Sequence, residues 1–158
     1  MTSRRDALRW MMTTAAVGAL PRPATARDYA SAAEVLDTID GFAARVEASL
    51  RGIERVVPGA APFAASVRAD HVRERAGRDA IRKRLRLAPS RALLPAPVPT
   101  SLGDLRALQQ ELVHAHAEGL PAIHDDAAVQ ALARHMVEAA RRLTVIDLWL
   151  EGEEQRAG

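Results

Sequence analysis

Residues 28–57 read DYASAAEVLDTIDGFAARVEASLRGIERVV. Apolar side chains return every seven residues at two positions: Tyr29, Leu36, Ala43, Leu50 and Val57 at one, Ala32, Ile39, Val46 and Ile53 at the other. That repeat is the seam of a helix in a left-handed bundle, because it keeps one face against a neighbouring helix along its whole length. Val35, Phe42 and Val56 widen the stripe, so more than one neighbour is expected. Pro58-Gly59 ends the helix.

Working outward, the rest of the chain also reads as helix. Alanine and arginine, both good helix formers, dominate, and alternating runs of β-branched and aromatic residues are absent. A second helix is expected over 62–87, stopped by Pro89. Its Phe63, Val67, Ile81 and Leu85 share a face that His71, Glu74 and Arg78 interrupt, while the opposite face carries Ala65, Ala69, Val72 and Ala76. With the larger side chains inward, His71 and Glu74 turn toward the core. A third helix, 101–119, opens on Ser101 with Asp104 three residues on and carries Leu105, Leu108, Leu112 and Ala115. A fourth, 126–151, starts after Asp125 or Asp126 and carries Val129, Leu132, Met136, Ala139, Leu143, Ile146 and Leu150 up to Gly152. Residues 153–158 read as a frayed polar tail.

The connections bear on topology. The first and third turns are short, which makes each helix pair an antiparallel hairpin. The middle connection, Ala88 to Thr100, contains Pro95-Ala96-Pro97-Val98-Pro99. Proline-rich chain extends about 3.1 Å per residue, so this stretch reaches roughly 40 Å, the length of a helix of about 26 residues. The fold class expected is therefore all-α: a four-helix bundle of two hairpins joined by one long crossover. A simple up-down bundle with a loose proline loop is the alternative.

The first 26 residues read differently. Ser3-Arg4-Arg5-Asp6-Ala7-Leu8-Arg9 precedes an uncharged run from Trp10 to Leu20, then Pro21, and then Ala24-Thr25-Ala26 as a small-x-small cleavage site. A charged start, a short apolar run and such an end form a cleavable export signal. The run is shorter than the roughly 20 residues that span a bilayer, so no stable transmembrane anchor is expected. Ser3, Arg4, Arg5 and Leu8 resemble the twin-arginine signal pattern, with Ala7 and Arg9 replacing its phenylalanine and lysine. The resemblance implies the twin-arginine translocase and signal peptidase as partners during export, cleavage after Ala26, and a periplasmic or extracellular location. Three segments follow: a signal at 1–26, a bundle at 27–152 and the tail.

Removing 26 of 158 residues leaves 132, enough for one domain with a real core. The removed segment holds four arginines and one aspartate, so the formal +2 of the whole chain becomes about −1. The basic balance thus leaves with the signal, and aromatic residues, at 3%, give little for bases to stack on. Nucleic acid is not an expected partner. Residues 68–91 hold nine Arg/Lys against three acids, and 104–158 hold ten acids against five arginines, which suggests basic and acidic helices side by side. The absence of cysteine excludes disulfides, thiolate metal sites and a cysteine nucleophile.

His71-Val72-Arg73-Glu74-Arg75, Arg78-Asp79-Ala80-Ile81 and Leu85 resemble the second helix of small bacterial ferritin-like four-helix-bundle proteins of unknown function found among exported proteins. The proline-rich link, the Leu105/Leu108/Leu112 helix and Ala139-Ala140-Arg141-Arg142 before Trp149 fit the same layout over residues 30–151. Iron-binding ferritin-like proteins take a Glu from each of two helices and Glu-x-x-His from each of the others. Here only Glu111-x-x-His114 has that order, whereas His71-x-x-Glu74 and His135-x-x-Glu138 reverse it. His114, His135 and Glu138 lie off the apolar stripes and are expected to face water. Glu47 sits in an Asp40, Glu47, Glu54 row that reads as a solvated border. Candidate ligands for iron or another divalent metal are Glu47, His71, Glu74 and Glu111.

No serine lies in a nucleophile elbow and no glycine-rich loop opens a helix. Arg82-Lys83-Arg84-Leu85-Arg86 reads as a solvated helix face rather than a lipid-binding one. The functional expectation is a cofactor-free, non-catalytic binding or accessory component outside the cytoplasm. The alternatives are a metal-binding or redox protein using His71 and nearby carboxylates, and a helical partner for an envelope complex.

Overall fold

The computed structural model describes residues 27–91 and 101–157, so residues 1–26, where a signal is expected from the sequence, and Pro95–Pro99 lie outside the described part. Four helices follow one another: α1 (Ala32–Val56), α2 (Ala60–Arg84), α3 (Leu102–Gly119) and α4 (Asp126–Ala157), with a short 3-10 turn, Leu120–Ala122, before the last. No strand occurs among the described residues. No helix among them is long and apolar enough to cross a membrane.

Side-chain chemistry sets where the helices begin. Ser31 Oγ accepts the Glu34 amide at 3.3 Å while Glu34 Oε2 accepts the amide of Ala30, one residue before the cap, at 2.9 Å, a variant of the capping box that starts α1 at Ala32, later than residue 28. Ser101 accepts the Asp104 amide at 3.1 Å at the head of α3. Asp125, rather than Asp126, caps α4, accepting the Ala128 amide at 2.9 Å. Gly59 turns the chain from α1 into α2 at φ +81°, a conformation that costs a side-chain-bearing residue about 1 kcal/mol.

Two helix ends depart from the sequence expectation. α2 stops at Arg84, three residues early, in a Schellman arrangement: Leu87 N–H donates to Arg82 O at 2.8 Å and Arg86 N–H to Lys83 O at 3.2 Å. Arg86 holds the left-handed position at φ +55°, where glycine is usual, and so left no mark in the sequence. α4 passes the expected stop at 151 and continues to Ala157, so the expected polar tail is helix. Glu151 and Glu153 are good helix formers, and one glycine, Gly152, costs only about 1 kcal/mol inside a helix.

Ion pairs and packing fix the helix directions. Asp40–Arg78 and Glu54–Arg68 make α1 and α2 antiparallel. A Cβ placed on Gly119 would lie 2.4 Å from Val35 Cγ1, so the end of α3 meets the start of α1 and these two are also antiparallel. Arg106–Asp147 sets α3 against α4, and Phe63–Trp149 with Arg84–Asp125 sets α2 against α4, both antiparallel. It follows that α2 and α3 run in the same direction. The chain leaves α2 at one end of the bundle and enters α3 at the other, and the loose up-down alternative does not hold. The crossing begins within the described residues, where Arg82 Nη1 donates to Ala88 O at 3.4 Å and Ser90 reaches Asp40.

The apolar core runs down the middle. Leu36, Ile39, Ala43, Val46, Leu50 and Ile53 of the expected α1 seam are buried, with Leu105, Leu108 and Leu112 of α3 and Leu132, Ala139 and Ile146 of α4. Val56, expected to widen the α1 stripe, is 64% exposed at the helix end.

Candidate functional site

α2 brings an unusual set of side chains to the interior. His71, Glu74, Arg78 and Arg82 are all buried on its inward face, as the face assignment required for the first two. Arg78 is 2% exposed. Its Nε donates to Asp40 Oδ1 at 2.6 Å, and Arg82 Nη2 donates to Asp37 Oδ1 at 2.8 Å and Asp40 Oδ2 at 3.0 Å. Burial alone would raise the Asp40 carboxyl, but the Arg78 charge and hydrogen bonds from Arg78, Arg82 and Ser90 hold it below the usual aspartate range. Asp40 is thus no solvated border residue, and Arg82 does not belong to a solvated basic face. Arg84 of that basic stretch does reach outward, to Asp125 at 2.8 Å.

Across the bundle, Arg142 of α4 donates through Nη2 to Glu74 and through Nε to Glu138 O at 3.1 Å. Both members of the Glu74–Arg142 pair are buried. Burial pushes the Glu74 carboxyl above its ordinary value, and the Arg142 and Arg78 charges oppose it without cancelling it.

Three imidazoles share this interior. His71 is 4% exposed, His116 of α3 is 1% exposed, and His135 of α4 packs edge-on to His116 with ring centroids 6.4 Å apart. Burial lowers His71 to about 3, aided by the charges of Arg142 and Arg78. Burial likewise takes His116 to about 3 and His135 to about 4, with Arg78 and Arg142 adding to both. All three rings are therefore neutral at pH 7. His116 Nδ1 lies 2.7 Å from Leu112 O, and since a carbonyl only accepts, that nitrogen carries the proton and Nε2 holds the lone pair. Gly77 lets the His135 ring lie against α2: a Cβ there would sit 3.1 Å from its Cε1.

His114 and His135 were expected to face water. Instead His114 is buried and His135 half-buried within the bundle, because α3 and α4 bury much more than one stripe each. Glu138 is half-exposed and pairs with Arg141 at 2.6 Å. The metal candidates divide. His71 and Glu74 lie on one buried face, Glu111 binds Arg27 Nη2 at 2.6 Å on the outside of α3, and Glu47 is exposed. Among the described residues no group of three or more His, Asp or Glu side chains is arranged to hold a metal ion.

Sequence reasoning passed over Arg142 and His116 and read Arg78 as an interruption. Each lies one helical step from a core residue: Arg78 four after Glu74, His116 four after Leu112, Arg142 three after Ala139. That spacing was the available signal, masked by the rule that arginine and histidine rarely enter cores unpaired.

A cavity of about 150 Å3 opens between α1 and α2, lined by Asp40, Glu47, His71, Arg75, Arg78 and Arg91 among others. Arg78 Nη1 and both His71 ring nitrogens are buried without a hydrogen-bond partner. Three guanidinium-bearing residues, Arg75, Arg78 and Arg91, line the cavity as donors to an incoming oxygen. Comparison with protein-family models, curated proteins and solved structures finds no match to this chain.

Proposed function

We propose that the chain is an exported protein of the ferritin-like kind, carried by the twin-arginine translocase and trimmed by signal peptidase. Outside the cytoplasm it acts as a non-catalytic binding or accessory component. The observation that carries this reading is the pair of guanidinium groups, Arg78 and Arg142, fixed beside His71 in the bundle interior. A divalent cation bound to His71 would have to sit against two positive charges, in a medium that screens them poorly. The carboxylate best placed to help it, Glu74, is already taken by Arg142. Two antiparallel hairpins with one long crossover also support the ferritin-like reading, since such folds have that connectivity.

The test is to isolate the protein from its native compartment and determine its first residue, its metal content after dialysis, and its partners. Expected are a chain starting at Arg27 and no stoichiometric metal. Retention of Met1 would remove the export half, and one bound metal per chain would remove the accessory half. A second reading, a helical partner in an envelope complex, is favoured by the exposed apolar residues Val72 (70%) and Leu148 (61%) on the outer faces of α2 and α4. It predicts co-purification with one partner that Leu148→Glu releases.

A further inference from the structure

The cavity between α1 and α2 is built from charges that do not all cancel within the protein. Its lining includes three arginines, Arg75, Arg78 and Arg91, against two carboxylates, Asp40 and Glu47. Asp40 is occupied by Arg78 and Arg82. Arg75, Arg91 and Glu47 have no ion pair among the described residues, so the open charges are two positive and one negative. Arg78 is held through Nε by Asp40, which fixes the plane of its guanidinium and leaves Nη1 buried and unpartnered. A guanidinium already locked in place on the cavity wall loses little entropy on binding an oxygen ligand.

We propose that this cavity binds a small oxyanion, a carboxylate or a phosphate group, seated against Arg78 and His71 and flanked by Arg75 and Arg91. The proposal deepens the binding reading above and rests on it. A volume of about 150 Å3 holds roughly five water-sized groups, the size of a phosphate or a short-chain acid. Guanidinium recognises both kinds of group by paired N–H···O bonds. His71, kept neutral by burial beside Arg142 and Arg78, adds hydrogen-bonding capacity without adding charge. Glu47, exposed on the cavity wall, opposes an anion and limits affinity.

The test uses the full chain at low ionic strength, where such contacts are least screened. Inorganic phosphate and succinate are titrated separately, against chloride at matched ionic strength, and followed by heat and by the histidine ring resonances. Saturable binding of either anion is expected, with the His71 ring shifted and the exposed His124 ring unmoved. Phosphate alone, succinate alone, or both each support the site and identify the source of the oxyanion. The exposed pair Arg75→Gln/Arg91→Gln, which leaves the core intact, should weaken binding by about tenfold, and Glu47→Gln should strengthen it by about threefold. Failure of both anions to saturate, or wild-type binding by the double variant, overturns the proposal. Metal-free protein starting at Arg27 that binds neither anion sinks only this site. Stoichiometric metal sinks the reading beneath it, whatever the titration gives.

Discussion

The α1–α3 and α2–α4 interfaces belong to one bundle but cohere by different physics. Where α1 meets α3, buried aliphatic side chains meet, and Gly119 lets the backbone of α3 approach Val35 closely. That contact gains from any apolar surface removed from water. Where α2 meets α4, Glu74 pairs with Arg142 in the interior, Arg84 pairs with Asp125 at one end, and His135 lies on Gly77. Phe63 against Trp149, 4.8 Å between centroids, is the aromatic contact at the far end. An interface of paired charges holds only when each group has its partner and its protonation state, so one interface tolerates change by volume and the other by chemistry.

Acid should separate the two most sharply. His71, His116 and His135 each bind a proton less readily folded, at about 3 to 4, than unfolded, near 6.5. The stability they contribute is complete above pH 6.5 and is lost as pH falls from there toward 4. Asp40, held low, adds to the loss only below its ordinary 3.8, while Glu74, held high, works the other way around 4.5. Urea unfolding followed by circular dichroism should show the midpoint level above about pH 6.5 and dropping from there to pH 5; a flat midpoint down to pH 5 would mean that the imidazoles are not buried as described.

Next in size is removal of one member of the interior pair. Arg142→Met leaves Glu74 buried and unpaired and should cost about 3–5 kcal/mol, whereas Glu74→Leu with Arg142→Met should recover most of it. A double variant that loses as much as the two single variants together would show that the pair is not coupled. In the aliphatic interface, Gly119→Ala forces a methyl against Val35 and should cost about 1–3 kcal/mol, read as a lowered melting temperature. Val35→Ala in the same chain should relieve part of that cost. Smallest is Arg86→Gly, which removes a left-handed side-chain residue from the end of α2 and should gain up to about 1 kcal/mol.

The same contrast explains what could be read in the sequence. The α1 seam was legible because aliphatic burial leaves a period: Leu36, Ile39, Ala43, Val46, Leu50 and Ile53 are all interior. The crossover was legible through chain length, since proline-rich chain has a known reach. The polar interface left no period of its own. His71 and Glu74 followed from the direction of Phe63 and Val67, but Arg78 read only as an interruption of that face and Arg142 was given no interior role, because their partners, Asp40 and Glu74, are 38 and 68 residues away in the chain. The late start of α1 was present in Ser31-x-x-Glu34, whereas the end of α2 was hidden because arginine, not glycine, takes the left-handed position.

Arg27 carries a consequence of its own. Its backbone nitrogen lies 3.2 Å from Glu118 Oε2, its guanidinium binds Glu111, and its Cζ sits 5.0 Å above the Phe42 ring. If the proposed leader is cut after Ala26, that amide becomes a free ammonium facing the same carboxylate, and a second positive charge joins the ion pair that Arg27 Nη1 already makes with Glu118 at 4.0 Å. Cleavage there would strengthen the tie that Arg27 makes between Phe42 of α1 and the Glu111 and Glu118 carboxylates of α3.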